Sequence, residues 1–330
     1  MSGDPERFEI VKVKSGAHSL RSLEFGETFH PVVGPMLEAR ELHVRQQQLL
    51  ARAGESNGRF IIWDVGLGAA ANAIAVLEAF QGFRGEAQIE LHSFDHTTAP
   101  LEFALQHASE LTYVALHPTS IRSLLATGSW VAPGEPLADQ RRPQQLRADG
   151  SCDLPAGFRW QLHLGDFRVL VSSEALPAPH AILYDPYSPK SNPGMWTLEH
   201  CTRLRRRLRR DAPCLLTNYT RSTAVRVTLL LAGFFVGRGC GIGEKDETTV
   251  ATNRRELLER PLEAAWLSMV QRSTKGAPLR EGSTAGPIAA ADLALLTAHP
   301  QFSQPWPFID TGALAIAGGV ADSPPLLPPA

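Results

Sequence analysis

The sequence predicts an α/β protein whose mostly parallel, doubly wound sheet includes one antiparallel strand. Three observations lead to this fold class. Apolar strand segments alternate with helical segments along most of the chain. Several of these strands end in an acidic residue, and a glycine or proline lies within two residues of Asp64, Asp166 and Asp185. The last two strand segments are separated only by a glycine-rich turn, which predicts an antiparallel pair at the end of the sheet.

The first half of the chain begins with an extension, residues 1–58, that precedes the regular alternation. The extension contains an edge-strand pattern, RFEIVKVKSG, and then apolar residues at helical spacing in GPMLEARELHVRQQQLLARAG. The next segments read in order as strand, helix, strand and two helices: RFIIWDVGLG, AAANAIAVLEAFQGF, AQIELHSFDH, APLEFALQHASEL and HPTSIRSLLATG.

Residues 127–157 are rich in Gly, Pro, Arg and Asp, which predicts a long loop or insertion. The alternation then resumes with FRWQLHLGDFRVLV, HAILYDPYSP, TLEHCTRLRRRLRRD, APCLLTNYT and STAVRVTLLLAGF, before the closing strand pair in FFVGRGCGIGEKDETTVATN. We therefore expect one domain over residues 1–253. Residues 254–330 are expected to form a helical extension with a disordered, proline-rich end.

Composition excludes several classes of protein. The net charge of −2 argues against a surface coated with positive charge, although not against a local basic patch. The four cysteines lie far apart, so neither a zinc site nor a disulfide framework is expected, and we predict no bound metal. The N-terminus lacks the apolar core of a signal peptide, and the longest apolar run is well short of the roughly 20 residues that span a bilayer. We expect a cytoplasmic protein with no membrane contact.

Three acids follow predicted strands and are candidates for binding a cofactor. Asp64 precedes a loop containing Gly66 and Gly68, and glycines allow a backbone to approach a ligand closely. Asp95 ends the next strand, where an acid can take both hydroxyls of a ribose, and Asp166 can meet an adenine amino group. The alternatives are a loop whose glycines serve geometry alone, a helix N-cap at Asp95 and a simple turn at Asp166.

The order and spacing of these acids resemble the Rossmann-like fold of class I S-adenosylmethionine methyltransferases. The segment DPY, residues 185–187, also resembles the D-P-P-[YF] signature of methyltransferases that act on amino groups. That resemblance implies that S-adenosyl-L-methionine is the cofactor and that Asp185 and Tyr187 are catalytic. Asp185 would hold the amine together with the backbone of Pro186, and Tyr187 would cover the reacting methyl group by cation–π attraction.

Longer motifs resemble the methyltransferase domain of the MnmC family, which acts in tRNA 5-methylaminomethyl-2-thiouridine biosynthesis. They are GETFHP, WDVGLGAAANAIA, SFDHTTAPLE, DPYSPKSNPGMW and AGFFVGRGCGIGEKDE, and the likeness covers most of residues 19–252. The resemblance implies cofactor contacts from Glu27 and Asn72 and substrate contacts from Asn192, Trp196 and Lys245. It also implies N-methylation of an aminomethyl-uridine of tRNA, by a stand-alone form without the FAD oxidase domain.

The sequence departs from the family in three places. Ala69 and Ala70 replace Thr and Gly in the glycine loop, Lys190 and Ser191 replace the family's Ala-Lys pair, and Asp246 replaces an arginine. The first change could narrow the cofactor loop. Two other functions therefore stay open: a methyltransferase for a small amine or another RNA, and a non-catalytic module that binds tRNA or a nucleoside.

Two further features have both a functional and a structural interpretation. RLRRRLRR, residues 203–210, carries six arginines, which would contact tRNA phosphates or form a solvated helix face around Leu204 and Leu208. The histidines at positions 18, 30, 92 and 163 show no metal-ligand spacing, and we interpret them as structural or surface residues.

Overall fold

A computed structural model of the chain describes residues 7–133, 154–155 and 157–303. The strands are β1 Phe8–Lys12, β2 His18–Ser22, β3 Glu27–Thr28, β4 Arg59–Val65, β5 Gln88–Asp95, β6 Ser129–Val131, β7 Arg159–Leu164, β8 Ala181–Tyr184, β9 Leu215–Asn218, β10 Phe235–Arg238 and β11 Thr249–Thr252. The α-helices are α1 Pro35–Glu38, α2 Leu49–Gly54, α3 Ala71–Ala79, α4 Ala99–Gln106, α5 Thr112–Ala115, α6 Pro118–Thr127, α7 Phe167–Leu170, α8 Leu198–Arg207, α9 Thr223–Leu231, α10 Ala264–Arg272, α11 Ala290–Thr297 and α12 Pro300–Ser303. Shorter helical segments are a π-helix at Ala39–Arg45 and 3₁₀ turns at Pro193–Trp196 and Arg255–Leu257.

Eight strands form the main sheet, in the order β10-β11-β9-β8-β4-β5-β7-β6. The central strands β7, β5, β4, β8 and β9 are parallel, which confirms the predicted fold class. β11 is the predicted antiparallel member, between β9 and β10. β6 is a second antiparallel strand, beside β7, that was not predicted. Its three residues are too few to show a strand period next to a Gly- and Pro-rich run.

The main sheet is buried on both faces, as its apolar strands require. β4 reads RFIIWDV and is buried at every position after Arg59. One apolar cluster, which includes α3 and Phe60, Ile62 and Leu91, covers one face. A second, which includes α8, α9 and Trp63, covers the other. Helices on both faces leave the carboxyl ends of the parallel strands as the open edge for a ligand.

β1, β2 and β3 form a separate antiparallel sheet, which we call the N-terminal sheet. The helical pattern that follows it is not one continuous helix. α1 passes into the π-helix, and Gln48, with φ of 50°, separates that segment from α2. The prediction of a helical region is confirmed, but the break adds a bend that periodicity does not reveal.

The described part of the predicted C-terminal extension packs on the main sheet. Trp266, Val270 and Leu296 belong to the same apolar cluster as α9. The amide nitrogen of Gln301 donates to the carbonyls of Val236 and Leu262, at 2.8 and 2.7 Å. The proline-rich end lies outside the described residues, and the domain boundary at 253 stays a prediction. In the described ranges, no helix has the length and apolar character needed to cross a membrane.

Candidate active site

A cavity of about 970 Å³ lies between the N-terminal sheet and the carboxyl ends of the central strands. The loops that follow β4, β5, β7, β8 and β9 all contribute to its wall. The opposite wall comes from the N-terminal sheet and α1. Asp95, Asp166 and Asp185 therefore converge on this cavity, because parallel strands end at the same edge of the sheet, whereas Asp64 does not reach it.

At two positions of the loop after β4, another part of the protein lies so close to the backbone that only glycine fits. Gly66 has φ of 94°, and a Cβ atom there would lie 2.6 Å from the backbone oxygen of Asp185. Gly68 has φ of 52°, and a Cβ would lie 3.0 Å from the ring of Phe29. The loop thus brings its backbone against the walls of the cavity without a side chain in the way, as a loop that cradles a cofactor needs.

Ala70 stands where the related motif has glycine and keeps the glycine conformation. Its φ is 63°, in the left-handed region, directly before α3 begins at Ala71. An alanine in this region costs about 1–2 kcal/mol relative to glycine. The alanine therefore strains the loop at this position.

Asp95 lies beside the glycine loop on the cavity wall. Its Oδ2 accepts a hydrogen bond from the backbone N–H of Gly68 at 2.9 Å, and its Oδ1 accepts one from the N–H of His96 at 2.7 Å. The carboxylate is thus fixed between the first two strand ends, and its side chain is 11% exposed. This position suits the predicted contact with ribose hydroxyls.

Asp64 does not lie on the cavity wall. It is fully buried, and its Oδ2 accepts a hydrogen bond from the hydroxyl of Ser93 at 2.7 Å. Burial, opposed by that hydrogen bond, raises the pKa of Asp64 to about 8. A direct cofactor contact, as predicted, is not available to this side chain, because β4 ends only after Val65 and Asp64 still points into the packed sheet.

Asp166 lines the cavity and also caps α7. Its carboxylate accepts from the backbone N–H of Arg168 at 2.8 Å and forms a bidentate pair with the guanidinium, at 3.0 and 2.6 Å. The bonds from Arg168 hold the pKa of Asp166 below its usual range. Asp166 therefore does have the local structural role that the turn interpretation gave it, as the cap of α7. Its contact with adenine stays a prediction.

Asp185 follows β8 and has one oxygen fixed by the protein. Its Oδ2 accepts from Asn72 Nδ2 at 2.9 Å and lies 3.2 Å from His30 Nε2. Its Oδ1 has no hydrogen-bond partner within the described residues, and the side chain lines the cavity. Burial acts to raise the pKa of Asp185, but the bonds from His30 and Asn72 and the positive charge nearby outweigh it and lower the pKa. An ionised carboxylate with one open oxygen therefore faces the cavity.

His30, interpreted from the sequence as structural or surface, is only 12% exposed and contacts a predicted catalytic residue. It lies on the cavity wall with φ of 50°, against Asp185. Burial opposes protonation, but the contact with Asp185 and the charge of Glu38 raise the pKa of His30. The sequence did offer one indication that His30 belongs to the site, because it directly follows the segment Glu27–Phe29, which contains a predicted site residue. Glu38, which is buried and also lines the cavity, gave no signal beyond its place in a helix.

Tyr187 packs against two aromatic rings of the N-terminal segment. Its ring stacks on Phe25 with centroids 4.3 Å apart and meets the edge of Phe29 at 5.5 Å. Burial raises the pKa of Tyr187. These three residues form an aromatic wall of the cavity. The wall is compatible with covering a methyl group, and that role stays a prediction.

Glu27 holds the loop that carries Asp185. It accepts hydrogen bonds from the backbone N–H and the hydroxyl of Ser188, the first at 3.1 Å, and from the hydroxyl of Ser191 at 2.5 Å. Burial opposes ionisation of Glu27, but these bonds outweigh it and lower its pKa. Glu27 lines the cavity, so a cofactor contact stays possible in addition to this clamp.

The predicted substrate residues divide into two groups. Pro186, Asn192 and Lys245 line the cavity. The carbonyl of Pro186 accepts from the hydroxyl of Tyr219 at 3.0 Å, and Lys245 Nζ lies 4.9 Å from the centre of the Tyr219 ring.

Trp196 is instead buried, and its Nε1 donates to the carbonyl of Tyr187 at 2.9 Å. The indole supports the loop from the core and is not available for stacking on a substrate. Tyr219 was not predicted, because an aromatic after a strand is common in packed sheets.

The arginine segment 203–210 lies on α8 and just beyond it. Leu204 and Leu208 are buried, as predicted for the inner face. Arg205 donates to the carbonyl of Gly233 at 2.8 Å, and Arg207 donates to the carbonyl of Leu176 at 2.6 Å. Part of the segment therefore serves internal packing, and a contact with tRNA stays a prediction.

Comparison with known proteins agrees with this fold. Residues 140–254 match the family described as S-adenosyl-L-methionine-dependent methyltransferase. The crystal structure of MnmC2 from Aquifex aeolicus superposes with a TM-score of 0.58 at 22% sequence identity, covering 88% of this chain and 83% of that chain.

Two curated relatives carry the name tRNA 5-methylaminomethyl-2-thiouridine biosynthesis bifunctional protein MnmC. The protein from Methylibium petroleiphilum is 27% identical over 246 residues, which cover 74% of this chain and 34% of the relative. The protein from Ectopseudomonas mendocina is 28% identical over 288 residues, which cover 83% and 39%. The chain thus spans between a third and two-fifths of their length. The family match over residues 140–254 and these relatives support an S-adenosylmethionine-dependent methyltransferase that is similar in sequence to part of the MnmC proteins.

Proposed function

We propose that the chain methylates an amino group, and that this group is the aminomethyl substituent of a modified wobble uridine in tRNA. The observation that carries the proposal is the state of Asp185. Its Oδ2 is held by Asn72 and His30, while Oδ1 is left toward the cavity. An ionised carboxylate with one open oxygen suits an amine, which can donate an N–H to it and keep its lone pair free.

The proposed cofactor contacts come from the glycine loop and its neighbours. Gly66 and Gly68 let the loop pack closely against the backbone of Asp185 and the ring of Phe29 on the cavity wall, and Asp95 offers a fixed carboxylate beside them. We assign the ribose to Asp95 and the adenine end to Asp166. S-adenosylmethionine, when bound, supplies an electrophilic methyl group on a sulfonium. Methyl transfer then depends chiefly on how the protein positions the amine.

The remaining wall residues would position the amine and its surroundings. Pro186 and Asn192 fix the loop that presents Asp185, through Tyr219 and the backbone of Ser188. Tyr187 in the aromatic wall would favour the cationic methyl group. Lys245 would contact the acceptor at the other side of the cavity.

The tRNA part of the proposal rests on the relatives, whose printed name refers to tRNA 5-methylaminomethyl-2-thiouridine biosynthesis. It implies a cytoplasmic enzyme and a basic surface for phosphates, for which segment 203–210 is our candidate. Methylation of a small amine or of another RNA would use the same cavity. A non-catalytic module would bind the nucleoside without transfer.

The test uses purified protein and tRNA from a strain that lacks this methyl group. We expect nucleoside mass spectrometry to show one added methyl on the aminomethyl-uridine only when S-adenosylmethionine is present. Asp185→Asn should lower turnover by a factor on the order of 10² to 10⁴, with nearly unchanged affinity for S-adenosylhomocysteine. The matched control is Asp246→Asn, whose side chain is 97% exposed. Failure of the wild-type protein to methylate any tRNA would exclude this substrate, and absent binding of S-adenosylhomocysteine would exclude the enzyme.

A further inference from the structure

Glu38 is a buried carboxylate that faces the cavity without a protein partner. It is the last residue of α1 and is only 8% exposed. Its side chain makes no hydrogen bond or ion pair within the described ranges, yet it lines the cavity, with Asp185 and His30 close enough for their charges to act on it. A buried polar group normally has a hydrogen-bond partner, because leaving it unpaired is costly. The carboxylate of Glu38 is therefore in need of a donor from a ligand.

The charges around Glu38 set it apart from Asp185. His30, Asp185 and Lys245 are close enough for their charges to act on it. Burial, together with the charge of Asp185, raises the pKa of Glu38 despite the two cations, whereas the pKa of Asp185 is lowered. His43 lies behind the site, bound to Thr217, and burial lowers its pKa to about 4, so it is neutral. Two neighbouring carboxylates in opposite environments commonly divide acid-base work between them.

We propose that Glu38 is a second carboxylate for the substrate amine and accepts the proton that the ammonium group loses before methyl transfer. The inference rests on the proposed amine methylation and assigns its base. Asp185 Oδ1 would accept one N–H and Glu38 another. A primary ammonium can donate one N–H to each carboxylate, give up one proton and keep two N–H groups, whereas a hydroxyl has a single O–H to donate. The pair thus selects a primary ammonium over a hydroxyl or a ring nitrogen.

The step balances with these groups alone. The ammonium gives one proton to the carboxylate of Glu38, which frees a lone pair on nitrogen. That lone pair forms a bond to the methyl carbon while the carbon–sulfur bond breaks, and its electron pair stays on sulfur. The products are a methylammonium and a neutral thioether, and Glu38 returns its proton to water.

The first test is the pH dependence of methyl transfer by Glu38→Gln. We expect kcat/KM at neutral pH to fall by a factor on the order of 10² to 10³, as for a lost general base. The loss should shrink as pH rises toward the pKa of the substrate amine, because free amine then needs no base. The matched control is Glu41→Gln in the π-helix, where the carboxylate pairs with Arg45. A Glu38→Gln profile parallel to that of the wild type would overturn the proposal.

The second test does not depend on tRNA. Sinefungin carries a primary amine where S-adenosylmethionine carries its methylated sulfur, so calorimetry can report on the amine end directly. We expect Glu38→Gln to weaken sinefungin by about tenfold and S-adenosylhomocysteine by less than about threefold. Equal changes for the two ligands would refute the role of Glu38. Glu38→Gln could weaken sinefungin selectively while the wild-type protein fails to methylate tRNA. That combination would support the role of Glu38 as the base and would reject only tRNA as the substrate.

Discussion

Replacing Asp64 with asparagine is expected to stabilise the protein, and more so as pH rises. The Asp64 carboxyl is fully buried, and burial raises its pKa from an ordinary 3.8 to about 8. Between these values the unfolded chain has released the proton that the folded protein still holds, so stability falls with rising pH. At about 1.4 kcal/mol per pH unit, the penalty is about 2 kcal/mol at pH 5 and about 4 kcal/mol at pH 7.

Asparagine removes this titration while keeping the shape of the side chain. Its oxygen can still accept from Ser93, as Asp64 Oδ2 does at 2.7 Å. Its NH₂ lacks a partner just as the protonated Oδ1 does, because Asp64 Oδ1 has none in the described residues. The hydrogen bond from Ser93 and the unpartnered second polar atom are thus nearly the same in both proteins. The gain in unfolding free energy should therefore approach about 2 kcal/mol at pH 5 and about 4 kcal/mol at pH 7.

The assay is urea unfolding of Asp64→Asn and wild type at pH 5 and pH 7, with Asp246→Asn as an exposed control. Equal gains at the two pH values, or none, would refute the idea of a protonated buried carboxyl. Affinity for S-adenosylhomocysteine should change by less than about threefold, because the side chain lies off the cavity wall. A large loss of affinity would restore the original assignment of Asp64 to the cofactor.

Three further outcomes are expected. Asp95→Ala should weaken S-adenosylmethionine binding by several-fold to about a hundredfold, for a loss of about 1–3 kcal/mol of charge-assisted hydrogen bonding; an unchanged Kd in calorimetry would sink the ribose assignment. Gly66→Ala should lower the free energy of unfolding by about 2 kcal/mol or more, since its Cβ would meet the Asp185 backbone oxygen at 2.6 Å in a left-handed conformation; urea unfolding equal to wild type would contradict the close approach. Neutralising three arginines in segment 203–210 should flatten the salt dependence of tRNA binding; an identical slope would leave the segment as a solvated face.

The fold could be predicted from the sequence because its elements are long and strongly patterned. β4 and β5 are largely buried strands with an acid at or next to the end, and the one helix between them, α3, is an apolar segment of nine residues. β6 was beyond such a prediction, since three residues carry no period. The break at Gln48 was also hidden, because apolar spacing continues across it.

Strand pattern alone predicted the site on the side that the main sheet builds, and the family resemblance added only Glu27 from the N-terminal sheet. Asp95 and Asp185 follow strands, so strand order alone brings them together. His30 and Glu38 come from a segment outside this sheet, and their meeting with Asp185 depends on tertiary packing that local patterns do not encode. Trp196 was predicted to contact the substrate because it belongs to a family motif. Its hydrogen bond to the Tyr187 carbonyl is a structural reason for a tryptophan at the same position.

The N-terminal sheet and α1 supply one wall of the cavity, and the main sheet supplies the other. Under the proposed assignments, Glu38, in the stretch 7–38, and the loop after β8 face the acceptor amine, while the loops after β4 and β5 face the methyl donor. Part of the acceptor wall thus comes from a stretch of chain that is separate from the donor loops. Exchanging residues 7–38 between related enzymes should redirect which amine is modified while the methyl donor stays the same, provided that Glu27 continues to meet Ser188 and Ser191.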